Sequence, residues 1–156
     1  MKKNYFKISC TMALITGLAL ITPTSQAIAA EFAVIVNAAN SMAGSEDEMR
    51  RQVKRIFMKQ QSAWPGNVAA FPLDRSPTDA AHQAFLKNIL GKTTQEMASH
   101  WLQVKQQQGT TPPRVVGASR ILLRLVGKKE GGMGIVNVDD LAGAPTTIKV
   151  LFRFND

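Results

Sequence analysis

Hydrophobic residues recur with two different periods along this chain, which indicates that strands and helices alternate. The apolar run "FAVIVN" at residues 32–37 is rich in β-branched residues and predicts a buried, parallel strand. In "SEDEMRRQVKRIFMKQ" at residues 45–60, apolar residues fall at i, i+4, i+7 and i+8, which predicts a helix with one buried face. Ser45 and Glu48 at its start predict a capping box.

The same alternation continues to the end of the chain. Three more helices are predicted at residues 76–90 (capped by Ser76 or Thr78 and ended by Gly91), 93–108 (capping box of Thr93 and Glu96) and 119–130 (capped by Ser119). Four more strands are predicted at residues 67–73, 114–116, 133–138 and 146–154. The order β-α-β-α-α-β-α-β-β predicts a three-layer α/β sandwich around a mostly parallel, mixed sheet of about five strands.

The N-terminus has the pattern of a secretory signal peptide. Lys2, Lys3 and Lys7 precede an apolar stretch at residues 8–21, and "AIA" at residues 27–29 is a small-residue cleavage site. A membrane anchor is the alternative, but the apolar stretch is short for a bilayer and no charged flank follows it. We therefore expect residues 1–29 to be a signal peptide, residues 30–156 to be one domain, and the product to be periplasmic.

The charge balance changes once the signal peptide is set aside. The whole chain has 19 basic and 11 acidic residues, and three of the basic ones lie in residues 1–29, which leaves a net charge of +5. This charge suits an anionic ligand or surface. The basic residues are scattered and few aromatics accompany them, so we expect no nucleic-acid partner. Cys10 lies at the start of the apolar stretch and not after it, so lipidation is not expected. Residues 30–156 contain no cysteine.

The residues that usually carry catalysis or bind metals are sparse. There is no G-x-S-x-G elbow, and His82 and His100 are each predicted mid-helix with no second histidine or cysteine as a companion at i±4. We expect both to be surface or boundary residues. Trp64 and Trp101 are expected to anchor the core, and the glycines of "GKKEGGMG" to form a helix C-cap and a tight turn. The sequence therefore predicts no enzyme, no metal site and no cofactor.

The stretch "FPLDRSPTDAAHQAF" at residues 71–85 is the most informative junction. It is predicted to end a strand and to begin a helix, with Arg75, Ser76, Thr78 and Asp79 between them. A helix N-terminus beside an Arg and two hydroxyls can hold an anion. The same residue types also form ordinary helix caps. Both interpretations stay open on the residues alone.

Four segments in order resemble the phosphate ABC transporter substrate-binding proteins, especially their short single-domain relatives. They are residues 37–40 ("NAAN"), 56–64 ("IFMKQQSAW"), 74–85 ("DRSPTDAAHQAF") and 131–136 ("GGMGIV"). The similarity extends from about Phe32 to Leu151. It implies one lobe of a type II periplasmic binding protein and an oxyanion ligand, usually phosphate.

The resemblance places the anion at Arg75, Ser76, Thr78 and Asp79, beside the start of the second helix. Two departures from the family pattern stand out. Asp79, Ala80 and Ala81 occupy the positions of the family's Ser-Gly-Thr core, and Lys59 replaces the glycine of "I-F-x-G". A carboxylate at position 79 repels phosphate unless it is protonated or bridged by a donor.

The resemblance implies a periplasmic solute-binding protein that binds phosphate or a related oxyanion without catalysis. The alternative is a lobe without a ligand that acts as an interaction module for an envelope protein. An inner-membrane transporter is the expected partner in the first case. Full binding proteins of the family close two lobes on the ligand, so a second copy in a homodimer is a further candidate partner.

Overall fold

A five-stranded mixed sheet organises residues 30–156, which are the part of the chain that the computed structural model describes. The strands are β1 (Glu31–Asn37), β2 (Phe71–Asp74), β3 (Arg114–Val115), β4 (Gly132–Asn137) and β5 (Ile148–Asn155). The helices are α1 (Glu46–Phe57), α2 (Ala80–Phe85), α3 (Thr94–Gln108) and α4 (Ser119–Lys128). A π-helical turn, Leu86–Leu90, continues α2, and a 3-10 turn, Val138–Leu141, precedes β5. The predicted signal peptide lies outside the described residues.

The strand order is β3-β2-β4-β1-β5, and β1 is antiparallel to both of its neighbours. The other four strands share one direction, since β2 pairs in parallel with β3 and with β4. The mixed α/β sheet is confirmed, but the prediction that the first strand is parallel is wrong. A continuous apolar run reports burial on both faces, and a central antiparallel strand is buried in the same way.

Two cores lie on opposite faces of the sheet and give the three layers. Phe32, Val34 and Val36 of β1 face a large core that α1, α2 and α3 cover. Ala33 and Ile35, which alternate with them, face a smaller core under α4. Burying each large apolar side chain contributes about 1.5–3 kcal/mol, so β1 stabilises both layers at once. Within residues 30–156, no helix has the length and apolarity that a membrane crossing requires.

Two of the predicted helix starts carry the expected side-chain caps. Thr93 and Glu96 form a full capping box at α3, and their hydrogen bonds hold the pKa of Glu96 below its usual value. At α1, the Ser45 hydroxyl accepts from the backbone N–H of Glu48, but the reciprocal bond from Glu48 is absent. The prediction of a capping box at α1 is therefore only half correct.

The other two helix starts differ from prediction. Asp79 caps α2, and neither Ser76 nor Thr78 does. Ala118 precedes α4 without a side-chain cap, and the hydroxyl of Ser119 donates instead to the Asp140 carboxylate at 2.6 Å. Ser76, Thr78 and Asp79 are all residue types that commonly cap helices. The geometry of the loop therefore decides which of them caps α2.

Two strands also differ from their predicted form. Residues 67–70 form part of a turn that returns to Trp64, so β2 begins only at Phe71. In β5, the pairing with β1 shifts between Phe152 and Val150, so Leu151 is an extra residue in the ladder. This bulge reverses the alternation, and Leu151 and Phe152 are both buried while Val150 is exposed.

The glycines after α4 serve close packing. Lys129, in extended conformation, ends α4, so the expectation of a glycine C-cap is wrong. A Cβ placed on Gly131 would lie 1.8 Å from the carbonyl oxygen of Ala69. The chain therefore requires glycine at Gly131, because the backbone of the turn before β2 touches the backbone just before β4 there.

Lys59 adopts a left-handed backbone with φ of 57° just after α1. This conformation costs a non-glycine residue about 1–2 kcal/mol, and glycine adopts it freely. We expect Lys59→Gly to stabilise the protein by about 0.5–1 kcal/mol in urea unfolding, after the entropy that glycine adds to the unfolded chain is subtracted. Lys59→Ala keeps the backbone cost and is the control; equal stabilisation by both variants would contradict this explanation.

Candidate functional site

The candidate site lies where β2 ends and α2 begins. Asp74 and Arg75 leave the sheet as buried residues, Ser76 is half-buried, and Thr78 lies exposed. The chain then enters α2 at Asp79, whose Oδ1 accepts from the backbone N–H of Ala81 at 2.9 Å. The structure thus places all four predicted ligand residues in one loop at the end of a parallel strand.

Arg75 is the central cation of this loop, and it is only 7% exposed. Its Nε and Nη2 donate to Oδ2 of Asp79 at 3.0 and 2.7 Å. Its Nη1 donates to the carbonyl oxygen of Val116 at 3.3 Å, in the segment between β3 and α4. The guanidinium is therefore held from two sides, and it links the start of α2 to the approach of α4.

The Asp79 carboxylate receives the hydrogen bonds that a bound oxyanion would receive at this position. One oxygen accepts from two guanidinium nitrogens and the other accepts from a backbone N–H of the first helical turn. Such charge-assisted bonds are about twice as strong as neutral ones. An external anion that reaches Arg75 must therefore displace the carboxylate or share the guanidinium with it.

Ser76 and Thr78 lie in the same loop, but their side chains make no hydrogen bond to the guanidinium. Their hydroxyl oxygens are 3.1 Å apart and hydrogen-bond to each other. The carbonyl of Ser76 accepts from the backbone N–H of Asp79 at 2.9 Å, which closes the turn before α2. The site thus brings Arg75 and Asp79 together, with the two hydroxyls as a separate pair at the surface.

A buried pair of Asp74 and His82 is hydrogen-bonded to the start of this loop. His82 Nδ1 lies 2.8 Å from Oδ1 of Asp74, which also accepts from the backbone N–H of Arg75 at 2.7 Å. His82 is 6% exposed, so the expectation that it is a surface or boundary residue is wrong. Its partner lies eight positions away on a strand end, so a search at helical spacing does not find the pair.

The remaining candidates behave as structural residues. His100 is half-buried, and its Nε2 lies 3.0 Å from the carbonyl oxygen of Met58, which agrees with a boundary position. Trp64 and Trp101 are buried in the large core, as expected. Across residues 30–156, no group of three or more His, Cys, Asp or Glu residues has the arrangement to hold a metal ion.

Solved structures resemble this chain in fold at low sequence identity. No protein-family model matches the chain, and no curated protein matches it. An ABC-type phosphate transport receptor from Vibrio cholerae superposes with a TM-score of 0.56 at 18% identity, over 78% of this chain and 46% of the receptor. PstS from Borrelia burgdorferi gives 0.55 at 12% identity, over 80% and 48%.

A third neighbour contains a ligand. It is a Clostridium perfringens protein assigned as a phosphate ABC transporter substrate-binding protein and solved with bound phosphate, with a TM-score of 0.53 at 15% identity, over 78% of this chain and 44% of that protein. The chain spans less than half the length of each of these neighbours. The described domain therefore has the fold of part of a phosphate-binding protein, as the resemblance in sequence implied.

A double-mutant cycle tests whether the Arg75–Asp79 pair acts as a unit. We expect Arg75→Met and Asp79→Asn to show a coupling energy of about 1–3 kcal/mol in urea unfolding. Substitution of either residue alone leaves the other partly buried and without its partner. The exposed pair of Lys87 and Asp156, 3.6 Å apart, is the control and should couple by less than about 1 kcal/mol. Equal coupling in the two cycles would show that burial adds nothing to the pair.

Proposed function

We propose that this protein is a non-catalytic binding lobe of the solute-binding type, which binds phosphate or a related oxyanion at Arg75, Ser76, Thr78 and Asp79. The observation that carries the proposal is the buried guanidinium of Arg75, which already holds a carboxylate at the start of α2. The fold shared with phosphate-binding proteins, one of them with bound phosphate, supports the same assignment.

The anion enters by exchange with the internal carboxylate. A phosphate oxygen takes the place of Asp79 Oδ2 on the Arg75 fork, since arginine binds carboxylate and phosphate through the same geometry. The exposed hydroxyls of Ser76 and Thr78 lie on the same loop and supply further donors. Asp79 sets the cost of binding, because its negative charge must move away or accept a proton from the ligand.

The proposed setting is the periplasm, with delivery to an inner-membrane transporter or another envelope protein. Because the chain spans less than half of its structural neighbours, the described domain supplies one wall of a binding site. A second copy in a homodimer supplies the other wall in this proposal. A ligand held between two copies is better shielded from water than one on an open face.

A second candidate function rests on the same geometry. The Arg75 nitrogens that donate to Asp79 and Val116 already have acceptors inside the protein, so the guanidinium needs no ligand to satisfy them. In this candidate, Asp79 permanently fills the anion position and the domain acts as an interaction module for an envelope protein. The two candidates differ in one measurable property, the affinity of the Arg75 loop for phosphate.

Isothermal titration with phosphate separates the two candidates. We expect saturable binding that becomes at least tenfold tighter in Asp79→Ser. Serine still caps α2, but it has no carboxylate to occupy the Arg75 guanidinium or to repel the phosphate. Arg75→Ala should weaken binding by about 1.5–3 kcal/mol, the range for a hydrogen bond to a charged group. Asp139→Ser removes an exposed carboxylate elsewhere and should leave the affinity unchanged.

The titration also has a clear negative result. If neither the native protein nor Asp79→Ser binds phosphate at millimolar concentration, while both stay folded by circular dichroism, oxyanion binding at this loop is rejected. Sulfate and acetate titrated in parallel define which oxyanion the loop prefers. Sedimentation with and without phosphate shows whether a second copy takes part.

A further inference from the structure

A groove runs along α4, on the face of the sheet that α1, α2 and α3 leave uncovered. Its volume is about 520 Å³, and it lies between α4 and the segment that joins the 3-10 turn to β5. None of the four residues proposed for the oxyanion is among those that line it. The groove is therefore separate from the Arg75 loop, and neither the fold nor the proposed function accounts for it.

One wall of the groove carries a row of cations. Arg120, Arg124 and Lys128 line it at i, i+4 and i+8, so they project from one side of α4, and all three are exposed. Within the described part of the chain, none of them has an acidic partner within 4.0 Å. Asp140 also lines the groove at its start, where its carboxylate accepts the Ser119 hydroxyl.

Apart from the Asp140 carboxylate, the opposite wall is uncharged and built from small residues. Gly143 and Thr147 belong to it, and Leu123 and Gly127 of α4 form part of the lining between the walls. The walls approach each other closely at Gly127, where an added Cβ would lie 2.3 Å from Oγ1 of Thr147. A narrow concave groove of this kind fits a single extended chain, whereas a flat membrane surface would touch only its rim.

We propose that this groove binds an extended acidic segment of a partner protein, with Asp or Glu at alternate positions. Successive cations on α4 are four residues apart, which is about 6 Å along the helix axis. Alternate side chains of an extended chain lie on one side and are about 6.6–6.8 Å apart. Three acidic side chains in this register therefore meet Arg120, Arg124 and Lys128 in turn, and the residues between them face the opposite wall.

Fluorescence anisotropy tests the proposal with a labelled peptide of four Glu-Ser repeats and the purified protein. We expect saturable binding at low ionic strength that falls at least tenfold in 0.5 M salt, since the pairs are exposed and screened. The variant Arg120→Gln/Arg124→Gln/Lys128→Gln should lose binding at least tenfold. The matched control Arg51→Gln/Arg55→Gln/Lys105→Gln removes three exposed cations from α1 and α3 and should retain it.

Four outcomes would overturn the proposal. Equal loss in both triple variants means that the peptide senses only the net charge. Equal affinity for a peptide with four Glu in one block followed by four Ser removes the alternating register. Tighter binding of tripolyphosphate or of phosphatidylglycerol vesicles, dependent on the same three residues, assigns the groove to a different ligand class. If the native protein is folded by thermal melting but does not bind the peptide at low salt, the site is rejected outright.

Discussion

The burial of one guanidinium is the constraint on which the candidate site depends. Arg75 leaves water almost completely at the end of β2, and a buried cation is tolerated only where anions and carbonyl oxygens replace its hydration. Asp79 and the carbonyl of Val116 provide that replacement. Because these partners lie on α2 and on the segment before α4, the same cation also fixes how both helices leave the sheet.

This constraint explains why a cap and a ligand site look alike at this junction. The first turn of α2 has free N–H groups that need an acceptor, and Arg75 needs a negative partner. A single carboxylate at Asp79 meets both needs, with one oxygen for each. A bound oxyanion would meet both needs in the same way. Whether the junction is a helix cap or a ligand site therefore depends on whether the loop holds the Asp79 carboxylate or the external oxyanion more tightly.

The sequence predicted the order of elements, the mixed sheet and the loop that holds Arg75, because burial and turn chemistry are local signals. It could not predict the direction of β1, since an apolar run is the same in either orientation. The predicted α2 cap fell on Ser76 or Thr78, because the local pattern does not show that Asp79 pairs with Arg75 in the folded chain. The Asp74–His82 pair joins a strand end to a helix, and only the folded chain brings them together.

The distribution of charge separates the two surfaces proposed for binding. At the Arg75 loop the cation is neutralised inside the protein, so it contributes little long-range potential. Along α4 the cations have no such partners in residues 30–156, and the excess positive charge is displayed over two helical turns. A site that must release a small ligand benefits from an internal competitor such as Asp79. A surface that recruits a larger partner benefits from unpaired charge, because the field that steers association extends beyond contact distance.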